Sequence, residues 1–145
     1  MSGITFFKEG FKNLKPIGTV TRSSKYVSKA MLDQIHFETS DVIVEIGAGD
    51  GAITKHIVNR LKKNARLFVF EINPEFCKSL RNIQDPRVII CESSAEEMKR
   101  ILSNHNIHQV DAIVSAIPFV VLDEPLRNSI LETCYSLLKS KGTFV

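Results

Sequence analysis

The stretch Val42-Ile43-Val44-Glu45-Ile46-Gly47-Ala48-Gly49-Asp50-Gly51-Ala52-Ile53-Thr54 constrains this chain more than any other part of it. An apolar run broken only by Glu45 reads as a buried strand. Three glycines at alternate positions follow, so the backbone can turn tightly through conformations that side chains disfavour. Ile53, Ile57, Val58 and Leu61 then recur at helical spacing, which predicts a helix from Ala52 to about Lys63. A turn without Cβ atoms also lets a ligand lie directly against the main chain.

The alternation continues along the chain. Arg66 to Glu71 is an apolar strand with an acid at its tip. Asn73-Pro74-Glu75 opens a helix, with Asn73 as N-cap and Pro74 at its first position, running to about Ile83 and stopping before the turn Asp85-Pro86. Val88 to Cys91 is a third strand, and Ser94-Ala95-Glu96-Glu97 reads as a capping box before a helix carrying Met98, Ile101 and Leu102. Val110 to Ala116 is the fourth strand. Asp123-Glu124-Pro125 starts a long helix to about Ser140, and Gly142 to Val145 begins a fifth strand. The expected fold is therefore α/β: a Rossmann-like, mostly parallel sheet with helices on both faces.

Glycine spacing narrows the ligand. A dinucleotide fingerprint is Gly-x-Gly-x-x-Gly, but here the third glycine comes one residue early and Glu45 precedes the turn. A carboxylate repels a pyrophosphate and suits a ligand carrying an ammonium and a sulfonium. The segment resembles the first motif of the class I S-adenosylmethionine-dependent methyltransferases. That resemblance implies that Glu45 faces the methionine end of S-adenosyl-L-methionine, that Gly47, Ala48, Gly49 and Gly51 form the turn against it, that Glu71 holds the ribose hydroxyls, and that Ile72 is a further cofactor contact. It implies an adenine contact at Ser94, which also reads as a helix N-cap, and further cofactor contacts at Ala95 and Ser115. The family sheet has seven strands, so a sequence ending within strand five leads to the expectation of a truncated chain. A glycine turn in some other α/β protein, with Glu71 a solvated strand end, is the competing reading.

Composition fits this picture. With 145 residues and 43% hydrophobic content, one domain with one core is expected. No apolar run approaches the ~20 residues of a membrane span, and there is no secretory signal, which points to a cytoplasmic protein. Cys77, Cys91 and Cys134 are odd in number and form no C-x-x-C pair, so they read as reduced thiols. Scattered histidines give no support for a metal.

The methyl acceptor is addressed by two weaker signals. Ser115-Ala116-Ile117-Pro118-Phe119 resembles the Asn-x-Pro-aromatic motif of methyltransferases that act on base amines, including the ribosomal RNA adenine dimethylases. Alanine replaces the asparagine whose amide would orient a planar amine, and the loop is closer to that of the bacterial phospholipid N-methyltransferases. The second signal is N-terminal: Ile4, Phe7, Phe11 and Leu14 lie on one helical stripe beside Lys8, Lys12 and Lys15. Residues 1–30 carry six basic side chains against one acid, so the excess of positive charge is concentrated there. Such a helix suits an anionic membrane interface, or a cap over the cofactor site. The stretch from Ile17-Gly18 through Ser23-Ser24 into a second helix is again similar to the phospholipid N-methyltransferases.

Together these observations predict two parts: residues 1–40, a basic amphipathic helix and a second helix, and residues 41–145, the cofactor-binding domain. The expected activity is methyl transfer to an amine, with the phosphatidylethanolamine head group first. Residues 4–29 would meet a phospholipid or anionic membrane surface, giving a cytoplasmic, membrane-associated enzyme. Tyr26 and Phe119 are candidates to line the acceptor site, where aromatic faces attract methylated ammonium groups. Tyr26, Asp123 and carbonyls near Ala116 remain open as the base. RNA is the alternative acceptor, since a basic segment suits phosphates equally well, and a cofactor binder without activity is the alternative of another class.

Overall fold

Strand pairing follows the apolar runs. The structure, a computed structural model, describes residues 21–145. Its elements are α1 (Thr21–Leu32), β1 (Val42–Ile46), α2 (Ala52–Arg60), β2 (Arg66–Glu71), α3 (Pro74–Leu80), β3 (Val88–Glu92), α4 (Met98–Asn104), β4 (Val110–Ser115), α5 (Glu124–Leu137) and β5 (Leu138–Phe144), with 3-10 turns at Ala95–Glu97 and Phe119–Val121. The strands lie in the order β3-β2-β1-β4-β5, and every described pairing is parallel. The order reverses direction between β1 and β4, where open α/β sheets leave a crevice beyond the strand ends.

Side chains alternate across this sheet with period two. Val44, Ile46, Phe68, Phe70 and Ile113 face one way, onto Met98 and Leu102 of α4 and Leu126, Ile130 and Cys134 of α5. Ile43, Leu67, Val69 and Val114 face the other way, onto Leu32 of α1, Ile57 of α2 and Leu80 of α3. Ile35 and Phe37, in the link from α1 to β1, join the second layer. The amphipathic stripe at residues 4–15 and the segment around Ile17-Gly18 lie outside the described residues.

Several boundaries differ from the sequence expectation, each for a local reason. Helix α2 stops at Arg60 because Leu61 turns extended and the Arg87 guanidinium donates to the Leu61 carbonyl at 2.8 Å. The capping box is only half made: Ser94 accepts from the Glu96 N–H, but Glu97 accepts from Arg100 instead of reaching back. Strand β5 begins at Leu138 rather than Gly142, immediately after α5. Its polar residues hid it. Lys139 donates to Asp111 of β4 at 2.8 Å, and the β4–β5 register shifts between Val110 and Ala112.

Candidate functional site

The glycine turn sits at the carboxyl end of β1, where the sheet order reverses. Gly47, Gly49 and Gly51 have φ of 75°, 57° and 85°, all in the left-handed region. Gly47 is needed twice over: a Cβ there would fall 2.8 Å from the Ile117 side chain. Gly51 is confined in the same way by Leu80 of α3 at 2.9 Å. Gly49 differs, since a Cβ there would meet nothing within 4 Å. Its N–H is tied down, while the space above it is open.

That N–H donates to Glu71 Oε2 at 2.8 Å, and the Asn73 N–H donates to Glu71 Oε1 at 2.8 Å. The acid at the end of β2 therefore holds the turn after β1 and the start of α3 in one frame. Each carboxylate oxygen keeps a free lone-pair direction, because a carboxylate offers about four acceptor sites. Asn73 caps α3 by accepting from the Glu75 N–H, with Pro74 in the first turn.

Glu45 is placed beneath the turn rather than beside the opening. It is fully buried in β1, and its Oε2 accepts from the Thr54 hydroxyl of α2 at 2.6 Å. Its Oε1 has no hydrogen-bond partner among the described residues. Burial pushes the carboxyl up to about 7; the Thr54 hydroxyl opposes this, and Glu71 and Asp50 add to it by repulsion.

A cleft opens on the other side of Glu71. Gly47, Phe70, Glu71, Ile72, Ser94 and Ala95 line it, with Ser93, and Ile117, Leu126 and Ile130 close it from the β4 and α5 side. Gly47, Glu71, Ile72, Ser94 and Ala95, singled out by sequence from three separate segments, thus share one cavity. Ala48 is buried under the turn. Ser115 ends β4, accepting from the Ile117 N–H at 3.3 Å, and is not on the cleft wall.

The acceptor candidates fare differently. Tyr26 stands 81% exposed on α1, away from the residues that line the cleft. Phe119 packs on the α5-side core and against Phe144, with ring centroids 6.5 Å apart. Asp123 is committed as the N-cap of α5, accepting from the Leu126 N–H at 3.0 Å. Ala116 is exposed, and its N–H donates to the Ile46 carbonyl. Sequence reasoning missed Thr54 and Ile117. Thr54 was findable as a polar residue three places before Ile57 on the inward helical stripe; the approach of Ile117 to Gly47 has no local signature.

Comparison with known proteins gives a consistent set. The family model of the ribosomal RNA adenine dimethylases matches residues 21–140. An ornithine lipid N-methyltransferase of Singulisphaera acidiphila is 30% identical over 96% of this chain and 73% of its own length. Ribosomal RNA small subunit methyltransferase A of Thermotoga petrophila is 28% identical over 86% of this chain, but only 45% of its own length. Among solved structures, the N-methyltransferase NodS from Bradyrhizobium japonicum aligns with a TM-score of 0.66 at 16% identity, over 88% of this chain and 68% of that one. The plantazolicin methyltransferase BamL, solved with SAH and a desmethyl-plantazolicin analogue, aligns at 0.64 and 18% identity, over 96% of this chain and 52% of that one.

Proposed function

We propose that this chain, which belongs to the ribosomal RNA adenine dimethylase family of class I S-adenosylmethionine-dependent methyltransferases, methylates the amine of a membrane lipid head group, phosphatidylethanolamine first among them. Methyl transfer from S-adenosylmethionine and the Rossmann-like fold are common ground for its relatives, whose names give a lipid or a ribosomal RNA as acceptor.

The residues present fit the cofactor. Glu71 has lone pairs left for two ribose hydroxyls, the space over Gly49 admits a ligand against the backbone, and the buried Glu45 Oε1 lacks a partner among the described residues. Phe70, Ile72, Ser94 and Ala95 offer an apolar slot with one hydroxyl for adenine. When bound, S-adenosylmethionine supplies a methyl group on sulfonium, open to in-line attack by a neutral amine. What the chain contributes is position and exclusion of water. Ile117 against Gly47 fixes the loop after β4 beside the turn.

The observation that carries the lipid reading is that loop. Ser115 to Leu122 contains no charged residue, Ala116 offers no amide to orient a base, and Val120 and Val121 of its 3-10 turn stand exposed, Val120 by 90%. RNA is met with cations on its phosphates and with polar groups on its base edges. An apolar, uncharged rim suits the boundary of head group and acyl chain. The basic segment 4–29, largely outside the described residues, adds charge that suits an anionic bilayer. The name of the ornithine lipid relative supports the same acceptor class.

The test is a radiolabelled methyl-transfer reaction with vesicles containing phosphatidylethanolamine or ornithine lipid in one arm and ribosomal RNA in the other. Label in methylated lipid is the expected result. Label in RNA, recovered as N6-dimethyladenosine, would give the acceptor site to adenine instead.

A further inference from the structure

Glu45 is enclosed on every side in the second core layer. Val69 of β2 and Val114 of β4 lie opposite it in register, and Ile43 precedes it on the same face. The charged groups that bear on it are Glu71 at the end of β2 and Asp50 in the turn, both acidic. Helix α2 adds only the neutral Thr54 hydroxyl, itself fully buried. A carboxylate withdrawn from water needs a cation or several donors, and among the described residues one oxygen has a single donor and the other has none. A protonated carboxyl removes that cost. The ligand assigned to the turn carries the positive charge that the described residues around Glu45 lack.

We infer that Glu45 holds a proton while the turn is empty and releases it as S-adenosylmethionine is taken up, with Thr54 the positioning residue that keeps the carboxyl beneath the turn. The Glu45 O–H bond breaks and the proton passes to solvent. The carboxylate left behind is balanced by the ligand's ammonium and sulfonium, and no other reactant is involved. This rests on the glycine turn being the cofactor site. It assigns Glu45 a titration that affinity for the cofactor must follow, and it gives Thr54 a role nothing in the motif assigned.

Calorimetry of S-adenosylmethionine binding, without acceptor, in buffers of different ionisation enthalpy counts the protons released. The wild-type chain should release close to one proton per ligand at about pH 6, fading to none by about pH 8.5. Glu45→Gln should abolish the release. Thr54→Val removes the donor that favours the carboxylate, so the fading should move to higher pH, and Thr54→Ser should restore the wild-type profile. Equal proton counts in wild type and Glu45→Gln would overturn the inference, as would a Thr54→Val profile identical to wild type. Glu71→Ala separates the cofactor site from the proton linkage. If it weakens binding while the wild-type proton count is nil, the site stands and the proton linkage falls; if it leaves affinity unchanged, the site reading itself falls.

Discussion

Glu45 and Glu71 point from the same face of neighbouring strands but are held by different donors. Two backbone N–H groups fix Glu71, whereas Glu45 has one hydroxyl and a bare oxygen. The difference has consequences for stability. With its carboxyl raised to about 7, folded Glu45 binds more protons than the unfolded chain between the ordinary carboxylate range and neutrality. Stability should therefore fall as pH rises through that window, by at most ~1.4 kcal/mol per unit, and stay low above it. Denaturant titrations of wild type and Glu45→Gln at about pH 5 and 8 check this; the gap between them should move in the variant's favour at the higher pH. Glu71 was readable in the sequence from its place at a strand tip. The burial of Glu45 beneath the turn was not, because only the packing of α2 reveals which side of the backbone its carboxyl occupies.

At the level of elements, the glycine turn is hemmed in by its neighbours. Gly47 and Gly51 are closed in by Ile117 and Leu80, so alanine at either must displace a packed side chain as well as adopt positive φ. Gly49→Ala meets no atom, and its cost should be limited to the ~1–2 kcal/mol of left-handed backbone. Thermal unfolding should rank Gly47→Ala well below Gly49→Ala. Cofactor affinity should nonetheless drop in Gly49→Ala, whose methyl projects into the ligand's space. Farther from the site, Arg87 joins β3 to the end of α2: it grips Asp85 through two nitrogens, at 2.9 and 2.6 Å, and donates to the Leu61 carbonyl. The hydrogen-bonded Arg87 guanidinium holds the Asp85 carboxyl down to about 2. That contribution is complete above the ordinary aspartate range and is lost as pH falls through about 2. Arg87→Met should cost about 1.5–3 kcal/mol at neutral pH in a denaturant titration, the scale of hydrogen bonds to charged groups. Strands β1 to β4 were legible because each is a run of Val, Ile or Phe. Strand β5 was legible only from Gly142 on, since Lys139, Ser140 and Lys141 give no apolar signal and pairing with β4 defines its start.

Across the whole molecule, charge and apolar surface are unevenly distributed. The positive excess lies in residues 1–30, while the loop after β4 is uncharged and exposes valines. No helix among the described residues is long and apolar enough to cross a membrane. Reversing Lys8, Lys12 and Lys15 to glutamate should release the protein from anionic vesicles in a sedimentation assay, given about 1 kcal/mol per basic residue near such a surface. S-adenosylmethionine affinity should be kept; vesicle binding retained with cofactor binding lost would make the segment a lid. The order of strands and helices was foreseeable because local patterning and the parallel topology agree. The cleft was foreseeable only in part, since Ile117, Leu126 and Ile130 reach it through tertiary packing. A crystal structure of the chain with S-adenosylhomocysteine tests the central claim most directly. The ribose hydroxyls should lie within hydrogen-bonding distance of Glu71, with adenine beside Ser94 and Ala95 and the amino-acid end over Gly47 and Gly49. A ligand seated elsewhere, with Glu71 holding only the Gly49 and Asn73 N–H groups, would contradict it.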